Sequence, residues 1–295
     1  MTTPRRPPHL RRSWLFVPGA DIAAHTAAVA SGADVLIQEL EDFTLPQHRP
    51  KARSLAAKLY DTWRQTGALA AVRINPLETE GHDDLAGVMR GRPDIVLMSK
   101  VAEPAQVVAL AEAVTRHEQA LGIPPGSTEL VPNIESARGV IQAYAIATAD
   151  RRVTGVCGST EDMAADLGAD RTPEASELAY VRQRLLLECV AAKVPAIDGP
   201  FTFNSAQGCE AEARQARAWG YYAKSAVHAE HPYFINLVMT PSPPDVLGAK
   251  RVTAAFEAAR AKGHDRIEIE GQMVELPTYL SMKRLLQRAT ELGVA

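Results

Sequence analysis

The sequence predicts a (β/α)8 barrel followed by a C-terminal extension of helices and a hairpin. Three observations carry this prediction: eight short apolar runs of strand length, helical stretches between successive runs, and charged residues gathered where the runs end. Runs that are continuously apolar suit strands covered on both faces. Strands alternating with helices along one chain imply a parallel sheet, with a doubly wound open sheet as the competing arrangement.

Residues 1–12 (MTTPRRPPHLRR) hold four arginines and no acid. Pro4, Pro7 and Pro8 would break the amphipathic helix of a transit peptide, so a disordered basic arm is expected there. The barrel is expected over 13–238. Its strands are SWLFVPG at 13–19, ADVLIQELE at 33–41, ALAAVRIN at 68–75 and DIVLMSKV at 94–101, then TELVPNIE at 128–135, RVTGVCGS at 152–159, VPAIDGP at 194–200 and GYYAKSAVH at 220–228. EPAQVVALAEAVTRHEQALG and ASELAYVRQRLLLECVAAK are two of the intervening helical stretches. From 239 the pattern changes: a proline-rich connection at 239–248, a helix, a hairpin turning at Gly271, and a last helix from Thr278. This 239–295 segment exceeds what closure of a barrel needs and is expected to act as a lid and in oligomerisation.

Composition sets outer limits. The chain has 295 residues, 46% hydrophobic and 23% charged, as an ordinary globular chain does. A net charge of −3 gives no footprint for nucleic acid. No apolar run approaches the ~20 residues that span a bilayer. Cys157, Cys189 and Cys209 lack the spacing of a zinc site or a disulfide framework, so reduced thiols in a cytoplasmic protein are expected.

The strand ends carry Glu39, Glu41, Asp42, Arg73, Asn75, Lys100, Glu135, Asp198, Lys224 and His228, with Asp162 in the loop just beyond the sixth run. In a barrel these ends form the face where active sites are built. Glu135 and Asp162 follow successive strands, and paired hard oxygens suit magnesium, which leaves its other positions to water and substrate. The competing account is that both are helix-start acids favoured by the helix dipole. Arg73 offers a planar donor fork for a carboxylate or an enolate oxygen; alternatively it closes the rim by pairing with Glu41. Glu41 and Asp42 either orient the waters of a metal or hold Arg73 and Arg12. Lys224 is kept protonated by nearby acids, against a Schiff-base role and for a structural or anion-binding one. Asp198, His228 and Cys157 read as rim or wall residues. Neither GVCGS nor PGAD has the features of a phosphate cradle.

The segments RRSWLFVPG, LEDFTLPQHRPKAR, VRINP, NIESARGV, GSTEDMAADLG, AIDGPF, AKSAVH and GQMVELP, in this order, resemble the citrate lyase beta subunit family of the HpcH/HpaI aldolase superfamily, which includes malyl-CoA and citramalyl-CoA lyases. The resemblance covers nearly the whole chain. It implies a (β/α)8 barrel, a catalytic magnesium, and carbon–carbon cleavage next to a carboxylate. It maps the family's metal ligands onto Glu135 and Asp162 and its substrate arginine onto Arg73. It also implies a homo-oligomer, a trimer or a multiple of it, because this C-terminal segment in relatives covers a neighbour's active site. There are departures. Glu39 stands where relatives open their acidic segment with aspartate, Ala223 precedes Lys224, Ala229 follows His228, and Glu275 takes the place of a catalytic lid aspartate.

The expected activity is therefore that of a magnesium-dependent lyase. It would cleave a hydroxy-acyl-CoA thioester or related hydroxy acid into an enolate-derived product and a 2-oxo acid. Arg73 and Glu275 are the catalytic candidates, Arg73, Glu41 and Lys224 the substrate-binding ones, Glu135 and Asp162 the metal ligands. The alternatives are thioester hydrolysis on the same scaffold and a metal-binding barrel that serves as a non-catalytic subunit.

Overall fold

The computed structural model describes residues 5–295. The chain divides into two compact units, Met1–Met239 and Thr240–Ala295.

The first unit is a closed barrel of eight parallel strands. They are β1 (Ser13–Pro18), β2 (Val35–Glu39), β3 (Leu69–Ile74), β4 (Ile95–Met98), β5 (Glu129–Ile134), β6 (Val156–Gly158), β7 (Ala196–Phe201) and β8 (Ala223–Ala226). Each strand pairs with its sequence neighbour, and β8 closes on β1 with Trp14 opposite Ser225. Alternation along the strands sorts the side chains. Phe16, Ile37, Ala71, Leu97, Val131 and Cys157 fill the barrel interior, and Leu15, Leu36, Val72, Val96 and Leu130 pack outward into the helix layer. The sixth strand is shorter than its apolar run: only Val153 of the earlier half pairs, in an isolated bridge to Leu130. The carboxylate of Asp150 binds the backbone of Arg152 and turns the chain there. Helices start on local signals. Asp21 caps one by accepting from Ala23 and Ala24, and Glu103 with Gln106 forms a capping box on another.

The expected arm needs correction. Residues 1–4 lie outside the described residues, but 5–12 are ordered across the N-terminal end of the barrel. Acids at the feet of β2, β4 and β5 need counter-charges, and the arm's arginines supply them. Arg5 pairs with Asp94 at 3.0 Å and Arg12 with Asp34 at 2.9 Å, while Arg6 also binds Asp34. Arg11 is only 1% exposed and grips Glu129 with both terminal nitrogens, at 2.5 and 2.9 Å.

The second unit holds two helices, Pro243–Ala261 and Leu276–Glu291, around a hairpin of β9 (Ile267–Ile269) and β10 (Gln272–Val274). The supposed connection at 239–248 is largely helix. Ser242 caps it in a capping box with Asp245, and Pro243 and Pro244 occupy the first turn, where the missing N–H costs nothing. The last helix likewise starts earlier than expected, with Pro277 in its first turn. Glu270 and Gly271 both take positive φ, as a two-residue hairpin loop demands.

The Arg11–Glu129 pair should be a main support of the barrel floor. Burial pushes the Glu129 carboxyl up, but the hydrogen bond and charge of Arg11, helped by Thr154, bring it below its ordinary value. A depressed carboxyl stabilises the fold above its unfolded pKa, and that contribution is lost as pH falls through the folded value. Arg11→Met is therefore expected to cost about 3 kcal/mol at neutral pH in urea unfolding. The gap to wild type should narrow as Glu129 is protonated in acid.

Candidate active site

The C-terminal mouth of the barrel holds a cavity of about 220 Å³. Inward-facing positions bring Glu39, Arg73, Asn133, Glu135 and Ser159 to it from β2, β3, β5 and the end of β6. Arg73 lies at its centre, 6% exposed, with three carboxylates around one guanidinium. Nε meets Glu39 at 3.0 Å, Nη2 meets Glu41 at 3.3 Å and Nη1 faces Glu135 at 3.5 Å. The rings of Phe16 and Phe43 lie 4.9 and 5.7 Å from the guanidinium carbon. Burial works against the Arg73 charge, but Glu39, Glu135 and Glu41 together raise its pKa.

Glu39 is fully buried and anchors the loop that follows β2. It accepts from the backbone of Glu41 at 2.5 Å and of Phe43 at 2.7 Å. Its main-chain carbonyl accepts from the Thr44 hydroxyl, which accepts in turn from Gly19 N–H. A side chain at Gly19 would place its Cβ 2.4 Å from the Glu39 carbonyl, so only glycine allows the β1 and β2 loops to meet. Lys100 sits at the end of β4 in a left-handed conformation (φ 55°), with its ammonium on Glu41 and, at 3.6 Å, Asp42. The alternative reading of Glu41 and Asp42 thus needs a different partner. Glu41 does hold Arg73, but the second cation is Lys100, because Arg12 lies at the opposite end of the barrel.

Glu135 is buried and takes the amide of Asn133 on Oε1. Burial, with repulsion from Asp162 and Glu41, pushes its carboxyl up to about 7 against the pull of Arg73. Two buried acceptors here, Glu135 Oε2 and Asn133 Oδ1, lack any hydrogen-bond partner. Orphaned oxygens of this kind cost energy unless something donates to or coordinates them. Asp162 lines the same cavity and accepts from the Ser159 hydroxyl at 2.9 Å. Among the described residues no group of three or more His, Cys, Asp or Glu side chains forms a metal cage. Two carboxylates with a vacant buried oxygen instead match a hard cation that keeps open positions for other oxygens.

Lys224 corrects the sequence reading. It was expected to bind substrate, yet it faces outward from β8, is 0% exposed, and does not line the cavity. Its ammonium meets Asp198 at 2.7 Å, Glu212 at 2.5 Å and the Gly199 carbonyl at 2.5 Å. Arg182 completes the cluster on Asp198 at 2.7 and 2.9 Å and lies over the Trp219 ring. The cluster joins β7 and β8 to the helices Ala179–Ala192 and Ala206–Trp219. Asn75 is structural too, bound to Asp84 and to the Leu40 carbonyl. His228 contacts the Thr202 carbonyl at 3.3 Å and the ring of His231. Glu275 is exposed at the N-cap of the last helix, in the second unit, and its side chain makes no capping bond.

Removing one member of a buried charge cluster leaves the others uncompensated. Lys224→Met is expected to lower stability by about 3–5 kcal/mol, read from the urea midpoint, with magnesium affinity of the folded protein unchanged. A selective loss of ligand affinity at wild-type stability would return Lys224 to the binding site.

The chain was compared with known proteins. Residues 12–229 match the family model of HpcH/HpaI aldolase/citrate lyase. Citrate lyase subunit beta of Leuconostoc mesenteroides is 33% identical over 282 residues, covering 95% of this chain and 93% of that one. The (3S)-malyl-CoA thioesterase of Cereibacter sphaeroides is 29% identical, covering 95% of each. The structure of CitE from Mycobacterium tuberculosis, solved with magnesium, acetoacetate and coenzyme A, superposes with a TM-score of 0.75. It is 27% identical and the match covers 95% of this chain and 98% of that one. A family match across the barrel and relatives of this identity over nearly full length, together with the site described above, lead to one conclusion: the chain belongs to the HpcH/HpaI aldolase/citrate lyase family.

Proposed function

We propose that this chain is a magnesium-dependent carbon–carbon lyase acting on a hydroxy-acyl-CoA thioester or a related hydroxy acid. The observation that carries the reading is the buried, partnerless Glu135 Oε2 beside Asp162 and Arg73 in a cavity at the barrel mouth. Glu135 and Asp162 would hold the ion. Magnesium bound there supplies a Lewis acid for the oxygens of a 2-hydroxy acid and of the 2-oxo acid it becomes.

The chain's own groups account for the rest. Cleavage breaks the bond between the carbinol carbon and the carbon next to the thioester carbonyl. The hydroxyl proton leaves to a base, the oxygen becomes a carbonyl, and the electron pair passes to the acyl fragment as an enolate. Arg73 Nη1 has the longest of its three contacts, so it is the donor most readily turned to an enolate oxygen. Glu39 and Phe16 fix the plane from which it acts. Glu275 from a neighbouring copy is the proposed base, in a homo-oligomer whose C-terminal unit serves as a lid.

Thioester hydrolysis is the second reading, favoured by the malyl-CoA thioesterase relative. Incubation with malyl-, citramalyl- and citryl-CoA separates the two: release of a 2-oxo acid supports the lyase, and free thiol with intact hydroxy acid supports the hydrolase. In either case Glu135→Ala and Asp162→Ala should each abolish magnesium binding in calorimetry while the barrel stays folded by circular dichroism. Wild-type magnesium affinity in both variants would overturn the assignment of the ligands.

The oligomer has its own test. Inactive Glu135→Ala and inactive Glu275→Ala subunits, mixed under conditions of proven exchange, should recover part of the activity. A monomer by light scattering, or exchange without recovery, would reject a shared site.

A further inference from the structure

The walls of the cavity say more about the acid it takes, granted the lyase reading. A 2-oxo acid held by its carboxylate and adjacent oxygen at Glu135 and Asp162 has one substituent left for the protein to receive. That substituent is a hydrogen in glyoxylate, a methyl in pyruvate and a carboxymethyl in oxaloacetate. The last brings a second negative charge.

Among the described residues the cavity offers that charge nothing. Arg73 is its only cationic lining residue, and each guanidinium nitrogen already faces a carboxylate. Lys100, at the rim, is engaged by Glu41 and Asp42. The hydroxyls are committed as well: Ser159 donates to Asp162, Thr160 to the Pro200 carbonyl at 3.1 Å, and Thr202 to Glu161. What remains of the wall is apolar, from Phe16, Phe43, Pro200 and Val227, or acidic, from Asp42 and Glu161. A carboxylate moved from water to such a surface loses hydration without gaining a partner, whereas a methyl group gains by the same move. At about 220 Å³ the space also falls below the ~300–1,000 Å³ typical of pockets for drug-sized ligands, which favours a small fragment.

We infer that the 2-oxo acid handled by this site carries a single carboxylate, of the glyoxylate or pyruvate type, and that Phe43 and Val227 form the wall that rejects a second. The matching thioesters are malyl- and citramalyl-like rather than citryl-like.

Calorimetric titration of the full-length, magnesium-loaded protein with glyoxylate, pyruvate and freshly dissolved oxaloacetate tests this. Glyoxylate or pyruvate should bind at least ~10-fold more tightly than oxaloacetate. Phe43 is 44% exposed, so Phe43→Arg can set a cation on the apolar wall without opening the core, and it should narrow or reverse the preference. Phe43→Leu, which loses the ring against Arg73 but adds no charge, should keep it. Oxaloacetate binding as tightly as pyruvate to wild type would overturn the inference and leave the lyase reading standing. So would a Phe43→Arg variant that binds all three acids with the wild-type order. Failure of every 2-oxo acid to bind with magnesium would overturn both.

Discussion

The site depends on one buried carboxylate. Glu39 is shut off from solvent, and burial raises its pKa, yet it binds Arg73 and two backbone N–H groups of the loop after β2. Charged hydrogen bonds in a dry environment are strong when complete and expensive when broken. One group therefore fixes both the orientation of the arginine and the path of the loop that carries Glu41, Asp42 and Phe43. The guanidinium then faces more carboxylate than it can neutralise. Glu135 bears the excess, with its carboxyl near 7 and one oxygen without a partner. This imbalance is the physical basis for reading the site as one that accepts a cation.

The two ends of the barrel solve opposite electrostatic problems. At the N-terminal end Asp34, Asp94 and Glu129 are each met by arginines, so the floor is saturated and its role is stability. At the C-terminal end acids outnumber cations, and buried oxygens are left over. A barrel tolerates such a deficit at the mouth because the floor and the outward-facing Lys224–Asp198–Arg182–Glu212 cluster hold the strands independently of it. The separation matches the general division in this architecture between a stabilising bottom face and a working top face.

Much of this was legible in the residues. The eight strands, the arginine of β3 and the two acids after β5 and β6 follow from apolar runs and from charges at their ends. Lys224 was misplaced because every strand-end charge was assigned to the rim, whereas side chains alternate between the interior and the helix layer. Counting by two from the apolar interior residues separates them: Ile37 leads to Glu39, Ala71 to Arg73, Val131 to Asn133 and Glu135, and Cys157 to Ser159. The same count from Ile197 and Ala223 turns Asp198 and Lys224 outward. Asn133 and Ser159 went unnoticed as site residues although they lie on the working parity. The ordered arm was not legible, since its partners lie far along the chain. Nor was the early start of the helix Pro243–Ala261, because two prolines read as a break unless the capping serine before them is weighed.

The closure of β8 on β1 carries a consequence for how this chain comes to be folded. Ser13 pairs with Lys224 and Trp14 with Ser225, and Arg11 finds Glu129 118 residues away. Contacts so distant in sequence are reached late and slowly. During synthesis the first strand emerges with one flank satisfied early by β2 and the other bare until more than two hundred further residues exist. An unpaired strand edge is a template for association with other chains. The stretch of translation before β8 is complete is therefore when this protein is most exposed to misassembly. Fragments that stop short of Ala226 carry that open edge permanently.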